Sequence, residues 1–389
     1  MDTNFCVQPA NRVPLQLAGF LRDQIQSGKL KPGERLPTTN ELVQLWNVGR
    51  VSVHRALTRL AAEGMIERKR HEGTFVRNDV NKGVIGVLIG ANLADETIHS
   101  QHAIIQAIHS KISGTRDCHW DCRVYGGLIA GGEPADVRHS TACRAIRRDM
   151  ESYAFKGLIQ IVGDLTSKQI AQLDFDLPII RLGPSLSNTD MDVALDRYQF
   201  GESSVKFAAG QGRKKLAYLR ACMQRKGYLP DLEGVRQTAA SLQLPSVSVH
   251  QITPEARGGA WLERAAYAKT IQLIDQWKKN GDWPEALLIP DDIATRGVAL
   301  ALAHKGVSES NRPMVIIMAN EGIYHHYGIP VVRCEFSLDQ VAGTLLELLR
   351  KKMTNAPLPQ LPVKVPPTGR FVETVDGCLV RPLTKPHLN

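Results

Sequence analysis

The stretch from Val48 to Gly64, VGRVSVHRALTRLAAEG, constrains the fold of this chain more than any other feature. At helical spacing its apolar side chains fall on one face and most of its basic side chains on the other. Such a helix fits two alternatives equally well, a solvated surface helix or a helix that enters the major groove of DNA. The apolar face is predicted to comprise Val53, Ala56, Leu57, Leu60 and Ala61.

The residues before this stretch favour the second alternative because they predict a shorter helix and a tight turn. Thr38 and Glu41 have the spacing of a capping box, with Thr38 as the N-cap residue. Asn47-Val48-Gly49 then turns the chain into the longer helix. Two helices joined in this way form a helix-turn-helix unit.

The residues after this stretch predict a two-stranded wing. Gly64 suits the C-terminus of the helix, and residues 65–68 and 74–77 are strand-like. Between the two strands lies a basic hairpin tip, Lys69-Arg70-His71-Glu72-Gly73. A wing of this kind would lie along a phosphate backbone or enter the minor groove, so the segment predicts a nucleic-acid interface.

Length and composition set wider bounds. With 389 residues and 43% hydrophobic content, the chain is long enough for two or three domains. Its net charge of +9 permits nucleic-acid binding, and the first 80 residues hold 12 Lys and Arg against 8 Asp and Glu. Seven Cys, an odd number, predict free thiols in a reducing compartment. Since the sequence has no apolar run of membrane-span length and no signal-peptide core, we expect a cytoplasmic protein that does not associate with membranes.

Beyond residue 83, strand-like apolar runs alternate with helical patterns. This alternation predicts an α/β class with parallel sheets flanked by helices, and its extent predicts two lobes. Strands are predicted at 84–89, 157–162, 178–182, 215–219, 246–252, 286–289 and 315–318. Helices are predicted near 98–113, 136–151, 199–210, 232–242, 261–279, 293–304 and 337–352.

Residues 11–77 closely resemble the winged helix-turn-helix of the GntR family of bacterial transcription factors. The matching pieces are SGKLKPGERLPTTNELVQLWNV, GRVSVHRALTRLAAEGMIER and GTFV. The resemblance implies binding of double-stranded operator DNA by a homodimer. It marks Arg35 and Arg50 as DNA-contacting arginines, and it departs from the family at Gly49, where Ser is usual, and at His54, where Arg is common. With the capping threonine and the wing tip added, the predicted DNA-binding residues are Arg35, Thr38, Arg50, Ser52, His54, Arg55, Lys69, Arg70, His71 and Gly73.

Residues from about 82 to 377 resemble the effector domain of the LacI/GalR regulators, which is like a periplasmic sugar-binding protein. The phrases that carry the resemblance stand in the family's order. They are KGVIGVLIG, LPIIRLGP, VALDRYQFGESSVKFAAGQGRKKLAYL, PEALLIPDDIATRGVALALAHKG and PVVRCEFSLDQVAGTLLELL. The combination with a GntR-type head is similar to repressors of the AraR type.

The two resemblances imply a division of the chain into three parts. These are a winged helix-turn-helix domain at 11–77, a linker at 78–83, and an effector-binding and dimerisation domain at 84–377. The family's topology further implies that 83–205 and 335–353 form one lobe. It places 210–330 and 357–377 in the other.

The second resemblance also implies a small-molecule effector, a sugar or sugar derivative, in the cleft between the lobes. Asp292 matches an Asp that follows a strand in the family, and Asp196 matches another. Where the family has a basic residue, this chain has Asp231, so Arg225 or Arg220 is a candidate substitute. The alternatives are a helix N-cap for Asp292 and a loop or cap role for Asp196.

Other patterns predict no catalytic, cofactor or metal site. The cluster from Cys118 to Cys122 matches no zinc spacing, and His325-His326-Tyr327 is typical of a surface turn. Neither a GxSxG elbow nor a phosphate-binding GxxxxGK[ST] loop occurs. We therefore expect a ligand-responsive transcriptional regulator, in the first place a repressor, and not an enzyme. Two alternatives stay open, a DNA-binding regulator without a small-molecule effector and an enzyme such as an aminotransferase fused to a DNA-binding head.

Overall fold

The computed structural model of the chain describes most of its length. The described residues are 13–69, 71–77, 83–90, 99–114, 120–127, 137–152, 155–161, 167–183, 191–221, 229–253, 255, 259–375 and 379–383. Of the predicted site residues, Arg70 and Arg225 lie outside these ranges, as do residues 78–82 of the predicted linker. Among the described helices, none has the length and apolar character needed to cross a membrane.

The head, residues 13–77, consists of three helices and a small antiparallel sheet with strand order β1-β3-β2. The two strands of the wing are confirmed, and the third strand, β1, was not predicted. A single core of apolar side chains from all three helices and the sheet holds the head together. The elements are α1 (Val13–Gln26), β1 (Arg35–Leu36), α2 (Thr39–Trp46), α3 (Arg50–Ala62), β2 (Ile66–Lys69) and β3 (Gly73–Val76).

Local hydrogen bonds explain where α2 begins and ends. The Thr38 hydroxyl accepts from the Glu41 amide (3.3 Å), and the Glu41 carboxylate accepts from the Thr38 amide (2.7 Å). The predicted capping box is therefore confirmed, and it lowers the pKa of Glu41 through these hydrogen bonds. Asn47, in the left-handed region at φ 46°, ends the helix and starts the turn toward α3.

The first lobe is built on a six-stranded sheet with strand order β14-β8-β7-β6-β4-β5. Apolar side chains of α4 and α11 cover one face of this sheet, and those of α5 cover the other. The elements are β4 (Gly83–Ile89), α4 (His99–Gly114), β5 (Trp120–Tyr125), α5 (Thr141–Ser152), β6 (Phe155–Ile161), α6 (Ser167–Ala171), β7 (Ile179–Leu182), β8 (Val193–Leu195), α11 (Leu338–Met353) and β14 (Val363–Val365).

The second lobe is built on a seven-stranded sheet with strand order β10-β9-β11-β12-β13-β15-β16. Its strands β10, β9, β11, β12 and β13 are parallel, whereas β15 and β16 add antiparallel pairs at one edge. The elements are α7 (Arg197–Gly210), β9 (Leu216–Ala221), α8 (Pro230–Ser241), β10 (Ser248–Ile252), α9 (Gly259–Asn280), β11 (Ala286–Ile289), α10 (Asp292–His304), β12 (Met314–Asn320), β13 (Val331–Phe336), β15 (Phe371–Val375) and β16 (Leu379–Leu383).

These sheets confirm the predicted α/β class and correct the predicted assignment of segments to lobes. The first half of α7 was assigned to the first lobe, but Phe200 and Val205 pack in the core of the second lobe. Strand β14 was assigned to the second lobe, but Val363 pairs with Val193 of β8, because the chain crosses back before it enters β15. The second sheet also continues past residue 377, the predicted end of the domain, through β16.

A partly buried ionic contact fixes α11 on the first lobe. The Lys352 ammonium donates to the Asp192 carboxylate (2.7 Å) and to the Ile179 carbonyl (2.6 Å). Asp192 also accepts from the Arg181 amide (2.7 Å). These bonds join α11 to β7 and to the residue before β8, so a segment that arrives from the second lobe is held against the first.

In the second lobe, helices α7 and α8 pack with their backbones in direct contact. A Cβ atom at Gly201 would overlap the Asp231 carbonyl oxygen, and one at Gly234 would overlap the Tyr198 carbonyl oxygen. Each glycine therefore faces the backbone of the other helix. Any larger residue at either position would push the helices apart.

We predict that Gly201→Ala destabilises the second lobe by about 1–3 kcal/mol, the usual cost of overpacking a filled interior. Gly343→Ala is the matched control, because Gly343 is also a helix glycine but a Cβ there would meet nothing closer than 3.6 Å. Alanine favours helix more than glycine does, so the control should be neutral or slightly stabilising. Calorimetric unfolding of both variants tests this, and an unchanged transition for Gly201→Ala would contradict the close helix contact.

Candidate functional site

Helix α3 presents the predicted recognition residues on one exposed face. Arg50, His54 and Arg55 are exposed and Ser52 is half-buried. The opposite face, with Val53, Ala56, Leu57 and Leu60, is buried against the rest of the head. The amphipathic pattern is thus confirmed, and the face opposite the core exposes Arg50, His54 and Arg55 to solvent.

The N-terminus of α3 differs from that of α2 in having no cap of its own. Its N-cap residue, Gly49, makes no side-chain hydrogen bond, and its first turn contains no acidic residue. The Ser52 amide donates to the Gly49 carbonyl (2.9 Å), whereas the amides before it and the positive end of the helix dipole are left for an external anion. A DNA phosphate has the charge and the acceptor oxygens to fill this position.

The wing places Arg35 directly over Gly73. Arg35 of β1 pairs in register with Phe75 of β3, and a Cβ atom at Gly73 would lie 2.8 Å from the Arg35 Nε. Gly73 also has φ +124°, in a region that side chains disfavour. Two predicted DNA-binding residues that are 38 positions apart are thus brought together, and Gly73 leaves room for the Arg35 guanidinium.

The remaining predicted residues of the head have different surroundings. Lys69 and His71 are exposed at the wing, with the Lys69 ammonium 5.5 Å from the centre of the Phe75 ring. Thr38 is exposed as well, but its hydroxyl accepts the capping-box hydrogen bond from the Glu41 amide. A contact of Thr38 with DNA stays a prediction.

A second group of polar side chains lies around the carboxyl ends of the strands of the second lobe, here called the carboxyl edge. In parallel α/β sheets this is the edge where ligands bind. Asp196, where the chain crosses from β8 of the first lobe into α7 of the second, accepts from the Gln199 amide (3.1 Å) and so caps α7. The predicted cap role of Asp196 is confirmed, whereas its contact with a ligand stays a prediction.

The structure decides which of the two acids after β11 caps the helix. Asp291, not Asp292, is the N-cap residue of α10, and it accepts from the Ala294 amide (2.8 Å). The alternative that Asp292 is a cap is therefore wrong. Asp292 is the first residue of the helix, and its carboxylate lies 3.3 Å from the Nε2 of His325.

The charge of Asp292 affects the ionisation of the neighbouring Asp291. Burial, and then the neighbouring Asp292 charge, raise the pKa of Asp291 to about 6. No Lys or Arg nitrogen lies within salt-bridge distance of either carboxylate among the described residues. The site therefore offers hydrogen-bond acceptors whose combined charge changes near neutral pH.

At the position where a basic residue was expected, the chain has a carboxylate whose negative charge is compensated by an arginine. Asp231 of α8 accepts from Arg197 of α7 through Nη2 (2.6 Å) and Nε (3.1 Å), and from the Leu232 amide (3.0 Å). Burial raises the pKa of Asp231, but Arg197 and these hydrogen bonds outweigh it, so the net pKa is lowered. Arg197 is thus a residue of the carboxyl edge that sequence reasoning missed. Arg220, the other candidate, lies half-buried on β9.

A further polar cluster lies on β13 and the loop before it. The buried Arg333 donates to Glu335 (3.0 Å) and to the Asn320 carbonyl (2.8 Å), and its guanidinium lies 4.6 Å from the centre of the Tyr324 ring. Tyr324 is 43% exposed, so it offers an aromatic surface beside these charges. Aromatic faces of this kind cover the C–H surfaces of sugars.

The segment around His325 is less exposed than predicted. Tyr327 is only 8% exposed, and its hydroxyl has no hydrogen-bond partner among the described residues. Burial, and then the charge of Asp292, raise the pKa of this hydroxyl. The prediction of a surface turn is therefore wrong for Tyr327, because its ring fills the core beneath α10.

The cysteine cluster lies only partly within the described ranges. Residues 118 and 119 lie outside the described ranges, and Cys122 lies on β5, where burial raises the pKa of its thiol to about 11. Within the described ranges, no group of three or more His, Cys, Asp and Glu side chains is placed to hold a metal ion.

Comparison with known sequences assigns the head. The family described as bacterial regulatory proteins, gntR family, matches residues 15–76. An uncharacterised HTH-type transcriptional regulator of Bacillus subtilis (strain 168), YurK, is 39% identical over 64 residues, which are 16% of this chain and 26% of that protein. The mannosyl-D-glycerate transport/metabolism system repressor MngR of Escherichia coli (strain K12) is 34% identical over 97 residues, which are 24% and 40%. The chain thus spans between a quarter and two fifths of these relatives.

Comparison with solved structures assigns the fold of the two lobes. The lac repressor dimer bound to operator and the anti-inducer ONPF superposes with a TM-score of 0.54 at 14% identity, over 77% of this chain and 95% of that one. A LacI family regulator from Arthrobacter sp. FB24 in complex with lactose gives 0.51 at 16%, over 78% and 98%. At these identities the likeness concerns the fold alone. The chain therefore joins a helix-turn-helix domain of the GntR family to a two-lobed domain with the fold of the LacI-type regulators.

Proposed function

We propose that the protein is a transcriptional repressor that binds a two-fold symmetric operator as a homodimer and releases it in response to a small ligand. The observation that carries this proposal is the exposed basic face of α3 beside an uncapped helix N-terminus. Helices with this surface enter the major groove and meet phosphates at their first turn. The wing, with Arg35 over Gly73, adds a second cationic surface on the same small domain.

The ligand part of the proposal is supported by the carboxyl edge of the second lobe. Asp292 offers carboxylate oxygens to hydroxyl groups, and Tyr324 offers an exposed ring beside Arg333. This combination suits a carbohydrate or a carbohydrate derivative. Solved proteins of the same fold carry lactose or, in the Cra regulator from Pseudomonas putida, fructose 1-phosphate.

The two-lobed architecture supports coupling between ligand binding and DNA binding. The chain passes between the lobes after β8, between β13 and α11, and between β14 and β15. A ligand held by both lobes favours one lobe arrangement over another, and the heads respond only if ligand affinity differs between the arrangements. The fold gives no support to the aminotransferase alternative, since the described residues after the head match regulators.

Removal of the first basic residue of α3 tests the DNA part. We predict that Arg50→Ala lowers the preference for operator over random duplex at least tenfold, because a bidentate contact with a base is lost. Fluorescence anisotropy with an operator selected from random duplexes measures both affinities. Lys279→Ala, which removes an equal charge from the exposed end of α9, should leave the preference unchanged. If wild-type protein selected no sequence at moderate salt, the regulator proposal would be wrong.

Removal of charge from the wing should act on all DNA alike. We predict that Lys69→Ala combined with Arg70→Ala weakens operator and random duplexes by similar factors, because phosphate contacts position the protein without reading sequence. The slope of log K against log salt should fall in magnitude by about 1.8, roughly 0.9 for each lost phosphate contact. A loss confined to one base step would show instead that the wing reads bases.

Substitution of Asp292 tests the ligand part. The effector is first found by a thermal-shift screen of monosaccharides and their phosphates. We predict that Asp292→Asn then weakens the effector response at least tenfold, because a charged acceptor is lost, and leaves operator affinity without effector unchanged. Asp275→Asn is the control, since this carboxylate pairs with Lys305 on the outside of the same lobe. Equal midpoints for wild type and Asp292→Asn would remove Asp292 from the ligand site.

A further inference from the structure

Val51 is the most exposed of the large apolar side chains in the described part of the chain, at 65%. It is the second residue of α3 and lies on the face opposite to the buried Val53. The basic residues Arg50, His54 and Arg55 surround it, the last two at the i+3 and i+4 positions. An apolar side chain thus stands alone on the basic face of the helix.

The stability of the head does not explain a valine at this position. A β-branched residue is a poorer helix former than alanine, and the first turn of a helix favours acidic side chains. Because Val51 is largely outside the core, its isopropyl group gains little from burial. The head itself therefore covers little of this side chain.

The position of Val51 indicates a contact with DNA. The first turn of a recognition helix is the part that comes closest to the base edges. Thymine is the only base that presents an apolar group, its 5-methyl, on the major-groove edge. The flanking arginines carry the charge that holds such a surface against DNA, so an apolar group between them meets bases and not solvent.

We propose that Val51 determines sequence specificity by packing on the 5-methyl group of a thymine in each half-site of the operator. This inference rests on the proposed DNA-binding function and deepens it, because it names one base and one atom that the head reads. Val51 thus adds an apolar side chain to predicted DNA-binding residues that are otherwise charged or polar, apart from Gly73.

Deoxyuridine provides a direct test, since it differs from thymidine only by the missing methyl group. The operator is selected with the full-length protein, and each thymidine is then replaced symmetrically in both half-sites. For wild type we expect one position where the replacement weakens binding by about fourfold per half-site, the effect of one buried methyl group. For Val51→Ala the same replacement should have no further effect, and the two changes should be fully coupled in a double-mutant cycle.

The outcomes separate this inference from the function on which it rests. Val51→Ala should fold normally, because alanine favours helix and no core contact is lost, and thermal unfolding checks this. Leu300→Ala, another exposed apolar residue at 56% exposure but in the second lobe, should retain the full methyl effect. If the protein selects an operator but no replacement depends on Val51, the inference is wrong and the regulator proposal stands. If no operator is selected, both are wrong.

Discussion

The direct backbone contact between α7 and α8 at Gly201 and Gly234 is the constraint on which the second lobe depends. It brings Asp231 next to Arg197, and their ion pair neutralises two charges that would otherwise be costly to bury. A similar contact occurs between α9 and α10, where a Cβ atom at Gly297 would overlap the Glu263 carbonyl oxygen. Each face of the sheet is therefore covered by a helix pair in close contact, and the carboxyl edge lies where these pairs meet the ends of the strands.

In the head, by contrast, the N-termini of the two neighbouring helices differ. Helix α2 has its terminal amides satisfied by Thr38 and Glu41, whereas α3 begins at Gly49 without a side-chain cap. The cost of the missing cap is small, and it leaves the positive end of the recognition helix available to a phosphate. The departure from the family's usual serine at this position is thus compatible with DNA binding.

The sequence predicted those features that depend on local periodicity. These are the apolar stripe of α3, the capping box and the alternation of strands and helices, and each is determined by neighbours within a few residues. Features that depend on distant residues could not be predicted from the sequence. Three contacts of this kind join segments tens of residues apart. They are the pairing of Arg197 with Asp231, the return of Val363–Val365 to the first lobe and the position of Arg35 over Gly73. The cap of α10 is Asp291, next to the Asp292 that was considered for this role, because the backbone geometry at the helix start decides which of two adjacent acids caps the helix.

In the proposed complex, two copies of α3 bind one symmetric DNA site through their first turns. Hydroxyl-radical footprinting of the full-length protein on its selected operator would show this arrangement. We expect two equivalent protected patches related by the dyad of the operator, separated by about one helical turn or a multiple of it, because each head would occupy one major-groove segment. A single unsymmetrical patch, or protection spread evenly over any duplex, would contradict it.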